Sequence, residues 1–346
     1  MPFAKNPRKS LCHYRFRFSI RTQGIGILCL LLSFSLLSGT IYAATVRVLI
    51  LDDTHRSIPP VDDVNKIGNL EGKLLFQGSE YSGRIEVFRG DNGLFVVNEL
   101  PLEDYVKSVV KSEVGVKWPL EALKAQAVTV RTYAVYHMLR SRSTIFHLVS
   151  STLSQVYKGA NDDPEIERAV DATRGEILAY NGEPINALYH STSGGLTELP
   201  EEVFQTPLPY LKSVKTECSS SPFYVWERRI TKSELEHVLS LDNLQDIEVV
   251  SLTKTGRAKE LKVTTNSTTV TMEAKKFREL LGWKRLPSTW FTIARTGTHI
   301  VFNGRGYGHG VGLCQWSASE MAVQGKSYRE ILSTFYSDTM IQLYEK

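Results

Sequence analysis

The chain of 346 residues is 42% hydrophobic, enough for one large domain or two ordinary ones around a real core. Its formal net charge of +4 is local: residues 1–43 hold Lys5, Arg8, Lys9, Arg15, Arg17 and Arg21 and no acidic residue, and without them 35 basic residues face 37 acidic ones, a net −2. A nucleic-acid partner thereby loses its main electrostatic support.

The basic start is followed by an uncharged apolar run from Ile25 to Leu37 and a small-residue exit at Ile41-Tyr42-Ala43-Ala44. This layout predicts a signal peptide over 1–43, cleaved after Ala43, and an exported protein that is periplasmic or associated with the cell envelope. The run is shorter than the ~20 residues of a bilayer span, and Ser33 and Ser35 interrupt it; an uncleaved N-terminal anchor is the alternative. Cys12 and Cys29 fall in this segment, leaving Cys218 and Cys314 for a compartment where disulfides form. One bridge and two separate thiols both remain open. Two lone cysteines and scattered histidines show no short ligand spacing, so no metal is expected.

Residues 44–98 read as β-rich, with alternation at Val46, Val48 and Ile50, at Ile85 and Val87, and at Leu94 and Val96, and with Gly83, Gly90 and Gly93 at turns. Residues 99–217 form the expected core of the main domain. One helix begins at Leu102, and a second starts at Pro119, which suits a first helical turn, and runs to His137; short strands follow at 176–180 and 185–189. Residues 218–290 predict a smaller inserted α+β lobe, with helices near 232–239 and 274–280 and strands near 247–252 and 260–270. Residues 291–346 complete the main domain with a glycine-rich segment. The order is mixed, so the expected fold is α+β and two-lobed, with a central pair of helices packed on short strands, and not a doubly wound sheet.

In the first helix Leu102, Tyr105, Val106, Val109 and Val110 share one face, and Glu113 lies on that face. Desolvation there raises a carboxyl pKa, and Gly115 is expected to stop the helix, leaving Glu113 at the negative end of its dipole. Such a carboxyl suits glycosidic-bond cleavage. The spacing is equally compatible with a helix-ending glutamate paired to a nearby Arg or Lys. In the second helix Gln126 and Arg131 are polar groups on a mostly apolar rod, which by themselves read as surface residues.

The segment Tyr189, His190, Ser191, Thr192, Ser193, Gly194, Gly195 offers a ring for stacking beside several donors and acceptors, as a sugar requires; by itself it also reads as a Ser/Gly turn. In 304–312 every second residue is glycine. If the run is extended, Arg305, Tyr307, His309 and Val311 project from one face, and the bare face admits a flat sugar ring or another backbone. No βαβ context supports a nucleotide loop, and no nucleophile elbow supports a serine hydrolase.

Several segments carry a family resemblance: Leu-Pro-Leu-Glu-Asp-Tyr-Val at 100–106, Ser-Glu-Val at 112–114, Trp-Pro-Leu-Glu-Ala-Leu-Lys-Ala-Gln-Ala-Val-Thr-Val-Arg-Thr-Tyr-Ala at 118–134, Ser-Gln-Val-Tyr-Lys-Gly at 154–159, Tyr-His-Ser-Thr-Ser-Gly-Gly at 189–195, and Gly-Arg-Gly-Tyr-Gly-His-Gly-Val-Gly-Leu-Cys-Gln-Trp at 304–316. Together they resemble the stage II sporulation protein D family over nearly the whole mature chain. The resemblance implies a lytic transglycosylase acting on peptidoglycan strands already stripped of stem peptides, with Glu113 as catalytic acid and base and Arg131 at the position of an arginine implicated in activity, orienting the carboxyl or binding a sugar substituent. It also implies substrate contacts from Gln126, Tyr189, His190, Ser191, Ser193, Arg305, Tyr307, His309 and Gln315, and no cofactor. Some members bear a zinc site from Cys and His just before the Gln-Val-Tyr motif. Here that stretch, His147 to Gln155, contains no cysteine, which implies a metal-free variant.

An ordinary glycosidase sets two carboxylates about the scissile bond, and no second one stands out. In the lytic route one residue serves twice, with an internal anhydro ring formed in place of attack by water. A noncatalytic glycan-binding module that recruits or enhances a cell-wall amidase is the alternative.

Overall fold

The computed structural model describes residues 44–50, 64–76, 78–90, 93–114, 117–143, 145–151, 154–160 and 162–344. The expected signal segment with Cys12, Cys29 and the cleavage point after Ala43, and the helix stop at Gly115, lie outside them.

The chain enters through strands β1 (Thr45–Ile50), β2 (Asn65–Phe76), β3 (Ser79–Gly90) and β4 (Gly93–Pro101), and β4 runs directly into helix α1 (Leu102–Glu113). Helix α2 (Leu120–Arg140), the short strand β5 (Leu148–Val149), helix α3 (Pro164–Ala172) and strands β6 (Glu176–Tyr180), β7 (Glu183–Pro184) and β8 (Tyr189–His190) follow, then α4 (Pro200–Phe204). The smaller lobe comprises β9 (Trp226–Thr231), α5 (Lys232–Leu239), β10 (Leu244–Leu252), β11 (Ala258–Thr265), β12 (Thr269–Glu273), α6 (Ala274–Leu281), β13 (Phe291–Thr296) and β14 (His299–Gly304). The chain ends in β15 (Leu313–Cys314), α7 (Gln315–Val323), α8 (Tyr328–Phe335) and β16 (Met340–Leu343). Helices and several small sheets combine in an α+β fold.

The first sheet has the order β2-β3-β4-β1-β5. Because side chains alternate across a strand, its central strands serve two cores: Val46, Val48, Ile50 and Ile85 join the main core, while Leu49, Phe88, Phe95 and Val97 pack with Ile145, Phe146 and Val149. β5 pairs parallel to β1, Val48 opposite Leu148, and the His147 Nδ1 accepts the Arg47 backbone N–H at 3.1 Å. Residues 147–149, at the start of the cysteine-free stretch, are therefore tied to the sheet.

The buried face of α1 is the one its spacing predicts, Leu102, Tyr105, Val106, Val109 and Val110. α2 differs from a surface helix: every residue from Ala125 to Val135 is buried, since α1, α3, α7, α8 and β6 all pack around it. A helix surrounded on all sides encloses its polar residues too, so Gln126 and Arg131, read in isolation as surface residues, lie in the interior.

Two expected strands have other shapes. Residues 185–188 follow β7 without regular structure, and only Tyr189 and His190 form β8. The strand expected at 260–270 is the hairpin of β11 and β12, because the Thr265 Oγ1 accepts the backbone N–H groups of Ser267 and Thr268 at 3.2 and 3.0 Å and turns the chain there. The lobe has its own hydrophobic core, drawn from Trp226 to Phe302; β14 belongs to it because it lies between β9 and β13.

Candidate active site

A cleft of about 1000 Å3 runs between the main core and the smaller lobe. Glu113, from the last turn of α1, lines it, together with Tyr133 of α2, Ser154, Val156, the Tyr189–Ser191 segment, Tyr307, His309 and Gln315; the lobe side contributes Lys259, Lys275, Arg278 and Trp283.

Glu113 is half-buried, and its Oε1 accepts the Val156 backbone N–H at 2.9 Å and the Tyr189 hydroxyl at 3.1 Å. The Gln315 amide lies alongside without the geometry of a full hydrogen bond. Burial raises the carboxyl pKa, and these neutral donors only partly offset it. Burial also pushes the Tyr189 and Tyr133 phenols up, so both remain neutral donors. Tyr105 donates to the Gln155 Oε1 at 2.9 Å and fixes the loop that carries Val156.

Arg131 is not part of this group. Its guanidinium forms a two-pronged pair with Glu103, Nε to Oε1 at 2.9 Å and Nη2 to Oε2 at 2.7 Å, and donates to the Glu176 carbonyl at 3.1 Å. Glu103 opens α1 and Glu113 closes it, which at 1.5 Å rise per residue sets their backbones roughly 15 Å apart. The expectation that Arg131 orients the catalytic carboxyl is thus corrected: it braces α1 against α2 and β6. Gln126, expected to contact substrate, is 1% exposed and does not reach the cleft; its amide has no hydrogen-bond partner among the described residues.

The glycine-rich run is not extended. Gly306, Gly308, Gly310 and Gly312 have φ of +81, +110, +86 and +74°, a region that L side chains rarely adopt. Their bare sides face protein: a Cβ at Gly312 would stand 2.0 Å from the Leu188 carbonyl oxygen, and one at Gly308 would stand 2.8 Å from the His190 Cβ. Backbone at Gly306 and Gly312, and the His190 and Arg257 side chains at Gly308 and Gly310, fill the space expected for a sugar ring. This intimacy lets β15 pair with β8, Leu313 opposite Tyr189, and lets Thr192 and Tyr307 exchange backbone hydrogen bonds at 3.0 and 2.8 Å.

The two histidines are neutral. Burial holds His190 well below its usual range, and its Nδ1 faces the Val311 carbonyl at 3.1 Å, which places the proton on Nδ1 and leaves Nε2 as an unpartnered acceptor among the described residues. His309 is lowered to about 4, chiefly by burial, and its Nδ1 accepts the Val311 N–H. Ser191 lines the cleft beside them. Ser193, expected to bind substrate, is buried away from it; its Oγ bonds the Thr216 hydroxyl at 2.5 Å and lies 3.3 Å from the Cys218 Sγ. Cys218 and Cys314 are buried neighbouring thiols, not bridged; hydrogen bonding to Cys314 draws the Cys218 thiol down, and burial pushes Cys314 up. Arg305 likewise leaves the cleft, stacking 5.1 Å from the Trp290 ring centroid in a separate groove.

Other cleft residues are not singled out by the sequence as site residues. Tyr133 falls within the Arg-Thr-Tyr segment of α2, but only its position opposite Glu113 distinguishes it. Phe204 and Trp283 are aromatic residues that nothing in their local sequence marks. Further carboxylates also line the cleft, but most are engaged: Glu198 accepts the Thr253 and Thr255 hydroxyls at 2.6 and 2.7 Å, and Glu202 pairs with Lys259 at 2.9 Å. Glu113 has no cationic partner among the described residues.

A family model described as stage II sporulation protein matches residues 90–180, and a second, described as a domain of unknown function, matches 200–312. The chain is 36% identical over 298 residues to an uncharacterized protein of Brachyspira hyodysenteriae, covering 82% of this chain and 80% of that protein. It is 35% identical over 264 residues to stage II sporulation protein D of Bacillus subtilis, covering 71% and 75%. Against the amidase enhancer of Bacillus subtilis the identity is 29% over 293 residues, covering 69% of this chain and 40% of that protein.

Proposed function

This chain belongs to the stage II sporulation protein D family, and from that premise we propose that it remodels the bacterial cell wall as a lytic transglycosylase on peptide-free glycan strands. The observation that carries the reading is the Glu113 carboxyl: in the cleft, desolvated, and held by neutral donors alone. A structural glutamate on the same helix looks different, as Glu103 with its arginine does.

Protonated Glu113 gives its proton to the oxygen linking muramic acid C1 to the next sugar, and that C1–O bond breaks. The carboxylate so formed keeps the Val156 N–H and the Tyr189 O–H as donors, which stabilise it without removing its basicity. It then takes the proton from the 6-hydroxyl of the same muramic acid as O6 bonds to C1. The 1,6-anhydro product forms, Glu113 regains its proton, and no water is consumed. Ser191 and Tyr307, half-buried in the cleft lining, offer hydroxyls to the sugar.

This function requires an exported protein, as the N-terminal basic and apolar run suggests, and it requires a partner amidase that strips stem peptides. The amidase enhancer similarity favours a second reading, a glycan-binding protein that promotes such an amidase without turnover. Native protein and Glu113→Gln are incubated with peptide-free strands and the products weighed by mass spectrometry. Anhydro-ended fragments from the native protein alone are expected. Intact strands with binding retained would select the second reading, and reducing ends would indicate hydrolysis.

A further inference from the structure

Arg305 and Tyr307 flank Gly306 and part company there: Tyr307 enters the cleft and Arg305 a second groove of about 540 Å3. That groove is lined by Tyr224 and Trp290 with two exposed cations, Lys215 and Arg305, and one anion, Glu217. Its walls are fixed. The Arg305 N–H donates to the Trp290 carbonyl at 2.9 Å, Gly306 donates to the Phe223 carbonyl at 2.8 Å, and Thr216 donates to the Gly195 carbonyl at 3.1 Å.

The cations differ in what they are committed to. Arg257, which also stacks on Trp290 at 4.5 Å, is buried and spends its donors on the Ser193 and Leu196 carbonyls and on Thr255. Arg305 makes no ion pair and no side-chain hydrogen bond among the described residues, and neither does Lys215; Glu217 accepts from Gln324 at 3.2 Å. The Arg305 stem lies against Gly194, where a Cβ would stand 2.9 Å from its Cγ, and its guanidinium rests on Trp290. An exposed arginine held in place with its fork of donors unspent is prepared for a carboxylate. The Tyr224 ring in the same groove suits the apolar face of a sugar.

We propose that this groove is a second saccharide site, taking a carboxylate-bearing sugar of the same glycan strand that enters the cleft. The inference rests on the glycan-strand reading of the cleft. A strand without stem peptides exposes the lactyl carboxylate of each muramic acid, a ligand the unspent cations fit and a neutral N-acetylglucosamine polymer lacks. Two contacts on one polymer raise its residence time beyond either contact alone.

Binding is measured on the Glu113→Gln protein, so strands stay intact, and on the same protein carrying Arg305→Gln and Lys215→Gln. Probes are peptide-free glycan strands, the same strands with carboxylates reduced to alcohols, and a single-stranded oligonucleotide. The double substitution is expected to weaken binding to native strands about tenfold and to leave binding to reduced strands unchanged. Trp290 fluorescence should respond to native strands, and a Trp290→Phe protein should lose that response. Equal loss on both glycans, no loss on either, or tighter binding of the oligonucleotide through these residues overturns the proposal. If native protein fails to cleave but carboxylate-dependent binding persists, the catalytic reading falls and the groove stands.

Discussion

Burial without a counter-ion makes Glu113 hold its proton to higher pH than an ordinary glutamate, and this has two consequences of known sign. In the proposed mechanism the cleaving step needs the protonated acid, so kcat/KM should fall as pH rises through the elevated pKa, and Glu113→Gln should lose about 10²–10⁴-fold in rate. For stability, a carboxyl whose folded pKa lies above its unfolded value contributes fully below the unfolded pKa, and the contribution is lost as pH rises between the two. Glu113→Gln should therefore melt above the native protein at neutral pH and together with it at acid pH; a constant Tm difference across pH would contradict this. Arg131 carries the opposite expectation. Its pair with Glu103 is buried, with the guanidinium fully enclosed, so Arg131→Ala should cost about 3–5 kcal/mol by denaturant unfolding. Replacing both partners, as Glu103→Leu with Arg131→Met, should recover most of that loss. A stable Arg131→Ala protein that has lost cleavage would reinstate a direct role for the arginine.

At the scale of elements, the site is assembled by one pairing. β15 holds β8 in register only because Gly312 brings the backbone against Leu188, at a φ of +74°. An alanine there meets both a left-handed backbone and a carbonyl 2.0 Å from its Cβ. Gly312→Ala should destabilise the protein by about 1–3 kcal/mol from backbone strain alone. It should also lower kcat, since Tyr189 sits opposite Leu313 and donates to Glu113. Gly325, with open space around its Cβ position but a φ of +87°, supplies the comparison: Gly325→Ala bears the strain without the clash and leaves the Tyr189 register intact.

Across the whole molecule, the main core supplies Glu113, and the smaller lobe together with Phe204 at the end of α4 supplies the opposite wall. Phe204, 38% exposed, stands edge-on to His309 at 5.4 Å and lies under Lys275 at 5.3 Å. If this wall holds the strand away from the scissile bond, Phe204→Ala should raise KM for long strands about 3- to 10-fold and leave kcat nearly unchanged. Loss of kcat with KM unchanged would move Phe204 into the chemistry.

The sequence by itself determined the α+β class, the buried stripe of α1 and the place of Glu113 on it, because helical spacing acts within a few residues and needs no partner. It also marked Tyr189, His190, Ser191, Tyr307, His309 and Gln315, which the fold brings to one cleft. Tertiary structure alone decided what surrounds each polar group. Helices α1, α3, α7 and α8 and strand β6 pack around α2, so Arg131 meets Glu103 instead of Glu113, and Gln126 is interior. Left-handed glycines, invisible to an alternation rule that assumes an extended chain, send Arg305 and Tyr307 to different grooves. Periodicity fixes which face of an element is buried; what that face meets depends on contacts between residues distant in the chain, as the lone carboxyl of Glu113 and the arginine held by Glu103 demonstrate.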